Sequence, residues 1–143
     1  MLAHLAAPSS TPSLACPPMR SGLRWATIAA GGAIGSVGRY AADVWVGAPA
    51  VGSWPWATFT VNLVGCLLIG VLIGRISADR RWEAWRPFLG VGVLGGFTTY
   101  SAFAVETVDL LGEGAWWLGL AYVAASLIGG LAAVAAGERL ART

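Results

Sequence analysis

Three long stretches of the chain carry no Asp, Glu, Lys or Arg: Ala57 to Gly74, Pro87 to Val105 and Gly114 to Gly137. A fourth apolar run begins at Trp25 and reaches Arg39 after 14 uncharged residues. At about 1.5 Å of rise per residue, runs of this length suit helices that cross a bilayer. The pattern predicts an all-α integral membrane protein with four transmembrane helices, at about 23–46, 56–76, 86–111 and 114–138, and a short C-terminal tail over 139–143. The third helix is expected to break near 95–99, because Gly95, Gly96, Thr98 and Thr99 are poor material for an unbroken helix. Non-helical backbone at that depth is tolerated only where it is buried in protein or lines a cavity, and there its polar groups can serve as ligands.

Composition sharpens the class. With 57% hydrophobic and 11% charged residues the chain is too apolar for a soluble domain. Its 20 glycines suit membrane helices, which associate through close backbone contact. Residues 1–22 read differently: Pro8, Pro12, Pro17 and Pro18 predict a disordered N-terminal tail, without the basic start and long apolar stretch of a signal peptide, and Met19 offers an alternative start. Cys16 in the tail and Cys66 in mid-helix support neither a disulfide nor a metal site. His4, the only histidine, lies in the tail, so no set of nucleophile, base and metal is visible and the chain does not read as an enzyme.

All nine basic residues are Arg, so the +2 net charge is informative only through its placement. Arg20, Arg24, Arg75, Arg80, Arg81, Arg86, Arg139 and Arg142 fall on one side of a four-span arrangement, whereas the first and third connections carry no basic residue. By the positive-inside rule both termini of this multi-pass membrane protein are expected to be cytoplasmic. Tryptophans such as Trp54, Trp56, Trp116 and Trp117 sit near helix ends, where indole rings anchor at the interface.

Several polar positions inside the spans are candidates for chemistry. Arg39 is either a snorkelling side chain at a helix end or an anion-attracting charge at a pore mouth, with Asp43 four residues on as a partner. Asn62, about two turns into the second helix, either bonds a neighbouring helix or donates its amide to a passing anion. Thr58 and Thr60 are expected to bond back to their own helix carbonyls. Tyr100 and Phe103 share a face, either as packing or with their positive ring edges toward an anion, and Ser101 places a hydroxyl nearby. Tyr122 and Ser126 form a weak polar stripe on the fourth helix.

Three motifs, GGAIGSVGRY from Gly31, TFTVNLVGCLLIG from Thr58 and GVLGGFTTYSAF from Gly92, occur in this order and spacing across Trp25 to Gly137, and the chain resembles the CrcB/Fluc fluoride channel family. The resemblance implies a four-helix subunit with a broken third helix, paired in an antiparallel dimer with two fluoride pathways that let cytoplasmic fluoride leak out. It assigns Asn62 to the anion pathway, Tyr100 and Phe103 to the two aromatic positions that contact fluoride, and Ser101 and Ser126 to a polar track. Thr99 is a further donor candidate. Position 100 is usually Phe in the family, and Ala102 replaces a frequent Thr. The carbonyls of Gly95 and Thr98 correspond to ligands of a structural sodium ion at the dimer centre, and Arg39 to the first-helix Arg at the pore mouth. Some members pair two homologous subunits of fixed, opposite orientation, and the one-sided arginines of this chain favour such a heterodimer over a homodimer. Two other classes remain as alternatives. A small multidrug exporter of cations needs an ionisable carboxylate inside a span, which the uncharged runs lack. A non-transporting structural membrane subunit is the plainer alternative.

Overall fold

The computed structural model describes residues 21–47 and 49–142. The expected tail lies outside them, together with the alternative start at Met19, except that Ser21 and Gly22 already belong to the first helix.

The described chain is helical, without strands. Helix α1 spans Ser21–Val46 and α2 spans Trp56–Ala78. A 3-10 turn, Arg80–Trp85, leads into a π-helical segment, Arg86–Leu94, that continues as the one-turn α3, Gly95–Phe97. After Thr98 and Thr99 come α4, Tyr100–Gly112, and α5, Trp116–Arg142. Positive φ at Gly47, Gly52 and Gly114 turns the chain between these elements, a conformation that costs glycine little. Asp79 ends α2 in extended backbone and its side chain accepts from the Arg81 N–H, which starts the 3-10 turn.

Three runs are long and apolar enough to cross a membrane: Trp56–Ala78, Arg80–Gly112 and Trp116–Arg142. α1 has the length, with 26 residues, but Arg24, Arg39, Asp43 and its glycines dilute its apolarity. It is held instead by backbone-to-backbone approach. Gly31 lies against the Phe88 carbonyl and Gly92, while Gly35 lies against Val93 and the Phe97 amide. A Cβ at Gly35 would overlap the Val93 carbonyl oxygen. The same device joins α2 to α5, where Gly70 faces the Val134 carbonyl and Gly137 faces the Leu67 carbonyl. These contacts advance in the same direction on both partners, so α1 runs parallel to the Arg86–Phe97 stretch and α2 parallel to α5. Large hydrophobic side chains such as Ile34, Val37, Ile128 and Leu131 stay exposed on the outer faces, as expected where the surroundings are hydrocarbon rather than water.

Candidate functional site

The site is built around Thr98 and Thr99, which are extended (φ −77°, ψ 155° and φ −142°, ψ 119°) between α3 and α4. Asn62 on α2 grips this step with both ends of its amide. Its Oδ1 accepts from the Thr99 N–H at 2.8 Å, and its Nδ2 donates to the Thr99 carbonyl at 3.0 Å. Gly65, one turn on, leaves room for the Thr98 methyl, which a side chain at 65 would overlap. From the other side, Arg39 Nε donates to the Gly96 carbonyl at 3.3 Å. The expected Arg39–Asp43 pair does not form among the described residues; the guanidinium reaches across to the break instead.

These contacts change which backbone groups are committed. In an unbroken helix the Thr99 N–H would meet the Gly95 carbonyl and the Ala102 N–H the Thr98 carbonyl. Here Asn62 takes the first, and the Thr99 hydroxyl, acting as N-cap of α4, takes the second at 3.2 Å. Two carbonyl oxygens are thereby released from the helix ladder. Gly95 is exposed, and a Cβ added there would meet nothing within 4 Å.

A cavity of about 460 Å³ opens beside the break. Asn62, Gly95, Thr98, Thr99, Tyr100, Phe103 and Ser126 all line it, so seven of the nine sequence candidates meet at one place. Arg39 and Ser101 do not line it; the Ser101 hydroxyl is linked to it through Thr99 Oγ1 at 3.2 Å. The rings of Tyr100 and Phe103 are 6.0 Å apart at 41°, and Phe103 leans in turn on Tyr122 at 5.2 Å. Tyr100 is 81% exposed and forms the open flank. The Ser126 hydroxyl is buried without a hydrogen-bond partner in the described chain. No charged residue is in the lining.

One group escapes the sequence reading. Glu106 closes the charge-free run Pro87 to Val105 but falls within the expected third helix, and it lies inside α4. Its carboxylate accepts from Thr58 Oγ1 at 2.6 Å and from the Tyr122 hydroxyl at 2.7 Å. Thr58 therefore bonds across to α4 rather than back to its own helix, because a carboxylate is the stronger acceptor. Tyr122 is fully buried, with Trp54, Phe59 and Phe103 around its ring. Trp54 is thus a packing residue as well as a helix-end tryptophan. The available signal was spacing: Glu106 is three residues after Phe103 and shares its helical face. On its other side Glu106 borders a smaller cavity of about 130 Å³ beneath the α1–α2 loop, with Asp109 and Glu113.

Apolar helical runs, joined by glycine contacts and gathering hydrogen-bonding groups around Thr98 and Thr99, define a multi-pass membrane protein with an uncharged cavity that opens past Tyr100. Residues 26–138 match the family described as CrcB-like protein, Camphor Resistance (CrcB). The chain belongs to that family. It is 47% identical over 126 residues to the fluoride-specific ion channel FluC 1 of Streptomyces coelicolor, covering 84% of this chain and 81% of that one. It is 48% identical over 120 residues to FluC of Agrobacterium fabrum (82% and 94% covered) and 47% identical over 119 residues to FluC of Caulobacter vibrioides (80% and 92%).

Proposed function

We propose that this chain is the subunit of a fluoride channel that lets cytoplasmic fluoride leave a bacterial cell down its electrochemical gradient. The observation that carries the reading is the chemistry of the cavity: a buried, unpartnered Ser126 hydroxyl beside the Tyr100–Phe103 ring pair, with no charged residue in the lining. Fluoride is small and strongly hydrated, so a path for it must replace water with several donors in a narrow space. Ser126, the Tyr100 hydroxyl and the second N–H of Asn62 supply such donors, and ring edges add a weak positive field. Ser101 and Thr99 extend the polar track. A cation exporter would need its carboxylate in the cavity; Glu106 is instead bound to two hydroxyls and is not in the lining.

The subunit is read as four spans, with α1 as the first and the Thr98–Thr99 step as the break in the third. The released Gly95 and Thr98 carbonyls fit a hard cation such as sodium, which oxygen-only ligands suit. Two carbonyls from each of two antiparallel subunits would complete four ligands, and the open space at Gly95 suits the approach of a second copy. A sodium ion held there would offset the cost of bringing an anion into low dielectric. Arg39, bound to the Gly96 carbonyl, secures this arrangement from α1 and carries positive charge near the pathway. With arginines gathered at one end of the bundle, the termini are read as cytoplasmic.

The test is fluoride release from liposomes containing the purified chain and its Ser126→Ala variant. Loss of one donor should slow release by about tenfold, the equivalent of one hydrogen bond, with the unfolding temperature unchanged. Equal rates in the two proteins would remove Ser126 from the path.

A further inference from the structure

The 3-10 turn Arg80–Trp85 takes no part in the cavity, and its sequence, RRWEAW, is unlike anything else in the chain. In a 3-10 helix residues three apart fall in line. Trp82 and Trp85 therefore share one edge, 37% and 54% exposed, while Arg80, Glu83 and Arg86 occupy the next. Helix packing brings other arginines to the same end of the molecule. Gly74 at the end of α2 lies against the Glu138 carbonyl and the Ala141 methyl of α5, so Arg75 and Arg139 flank the turn's end of the bundle.

Local carboxylates do not neutralise this end. Glu83 pairs with Arg86 at 3.2 Å, Glu138 pairs with Arg142, and Asp79 caps the Arg81 backbone N–H. Among the described residues no carboxylate lies within ion-pair distance of Arg75, Arg80, Arg81 or Arg139, all four of which are exposed. The opposite end, with Glu106, Asp109 and Glu113, has no arginine in its connections.

We propose that the Arg80–Trp85 turn, with Arg75 beside it on α2 and Arg139 at the same end of the bundle on α5, is a docking surface for anionic phospholipid headgroups. Unpaired guanidinium groups match phosphate in charge and geometry. Exposed indoles beside them settle at the headgroup level, and the surface lies where two apolar runs, Trp56–Ala78 and Arg80–Gly112, meet. A soluble polyanion would be served by the arginines alone; the tryptophan edge and the adjoining apolar helices favour a lipid. This inference rests on membrane insertion and not on the transported ion.

Electron spin resonance of the reconstituted full chain tests it, using spin-labelled phosphatidylglycerol and phosphatidylcholine. We expect phosphatidylglycerol to be immobilised by the protein several-fold more strongly, with the preference lost in Arg80→Gln/Arg81→Gln, largely kept in Arg80→Lys/Arg81→Lys and weakened by high salt. Equal immobilisation of the two lipids by the wild-type chain would overturn the proposal. So would an undiminished preference in the folded glutamine variant, or displacement of the lipid by millimolar inorganic phosphate, which would mark a site for a soluble anion.

Discussion

Asn62 does two things at once: its amide fixes the Thr99 backbone, and the residue lines the cavity. Replacing it with Asp keeps an acceptor for the Thr99 N–H but turns a second oxygen toward the Thr99 carbonyl and places negative charge beside the anion path. We expect Asn62→Asp to abolish fluoride flux and to destabilise the break by about 1–3 kcal/mol; efflux assays and thermal unfolding of the purified variant measure the two effects separately. Tyr100→Phe should keep transport, because the ring edge and its stacking on Phe103 survive, and loss of flux would show that the hydroxyl is needed. Glu106 offers a sharper stability test. Glu106→Ala removes the acceptor of both Thr58 and Tyr122 and should destabilise by about 2–4 kcal/mol, whereas Glu106→Gln retains one acceptor and should lose less than half as much. Thermal unfolding of the two variants in the same detergent would decide it, and equal losses would mean that the charge, not the hydrogen bonding, matters there. The candidates legible in sequence were those whose polarity stands out in an apolar run: Asn62, the threonines and Ser126. Glu106 drew no attention because it lies just past the end of the charge-free run, and only the third dimension brings Thr58 and Tyr122 to it.

At the scale of elements, the three charge-free runs fall within the three helical stretches apolar enough to cross a membrane, since a bilayer-length apolar stretch has few other uses. α1 is the exception in apolarity, and its place depends on glycines whose orientation the sequence does not reveal. Gly35 and Gly112 illustrate this. A Cβ at Gly35 would overlap the Val93 carbonyl, while one at Gly112 meets nothing within 4 Å. Gly35→Ala should therefore force α1 away from its neighbour and destabilise by about 1–3 kcal/mol or prevent folding, and Gly112→Ala should leave the unfolding temperature nearly unchanged. Similar behaviour of the two variants would contradict the α1 packing. Gly95 to Thr99 stand out in sequence as weak helix formers, but nothing in the sequence shows that the Asn62 amide and the Arg39 guanidinium reach this stretch from two other helices.

At the scale of the whole molecule, the exposed Gly95 and the freed carbonyls make the subunit look unfinished on one face, which the antiparallel dimer of the proposal would cover. Gly95→Val should leave the isolated subunit folded, because a Cβ there meets nothing within 4 Å, but should weaken dimerisation and sodium dependence. Thr98→Ser should be nearly silent, because the carbonyl and hydroxyl both remain. The one-sided arginines favour a fixed orientation with cytoplasmic termini, and C-terminal reporter fusions giving an even split between the two sides would contradict it. The central claim is most directly tested by an ion-selective electrode recording from liposomes loaded with potassium fluoride or chloride and carrying the folded protein. We expect rapid release of fluoride and none of chloride above protein-free vesicles; no fluoride release, or equal release of both halides, would contradict a fluoride channel.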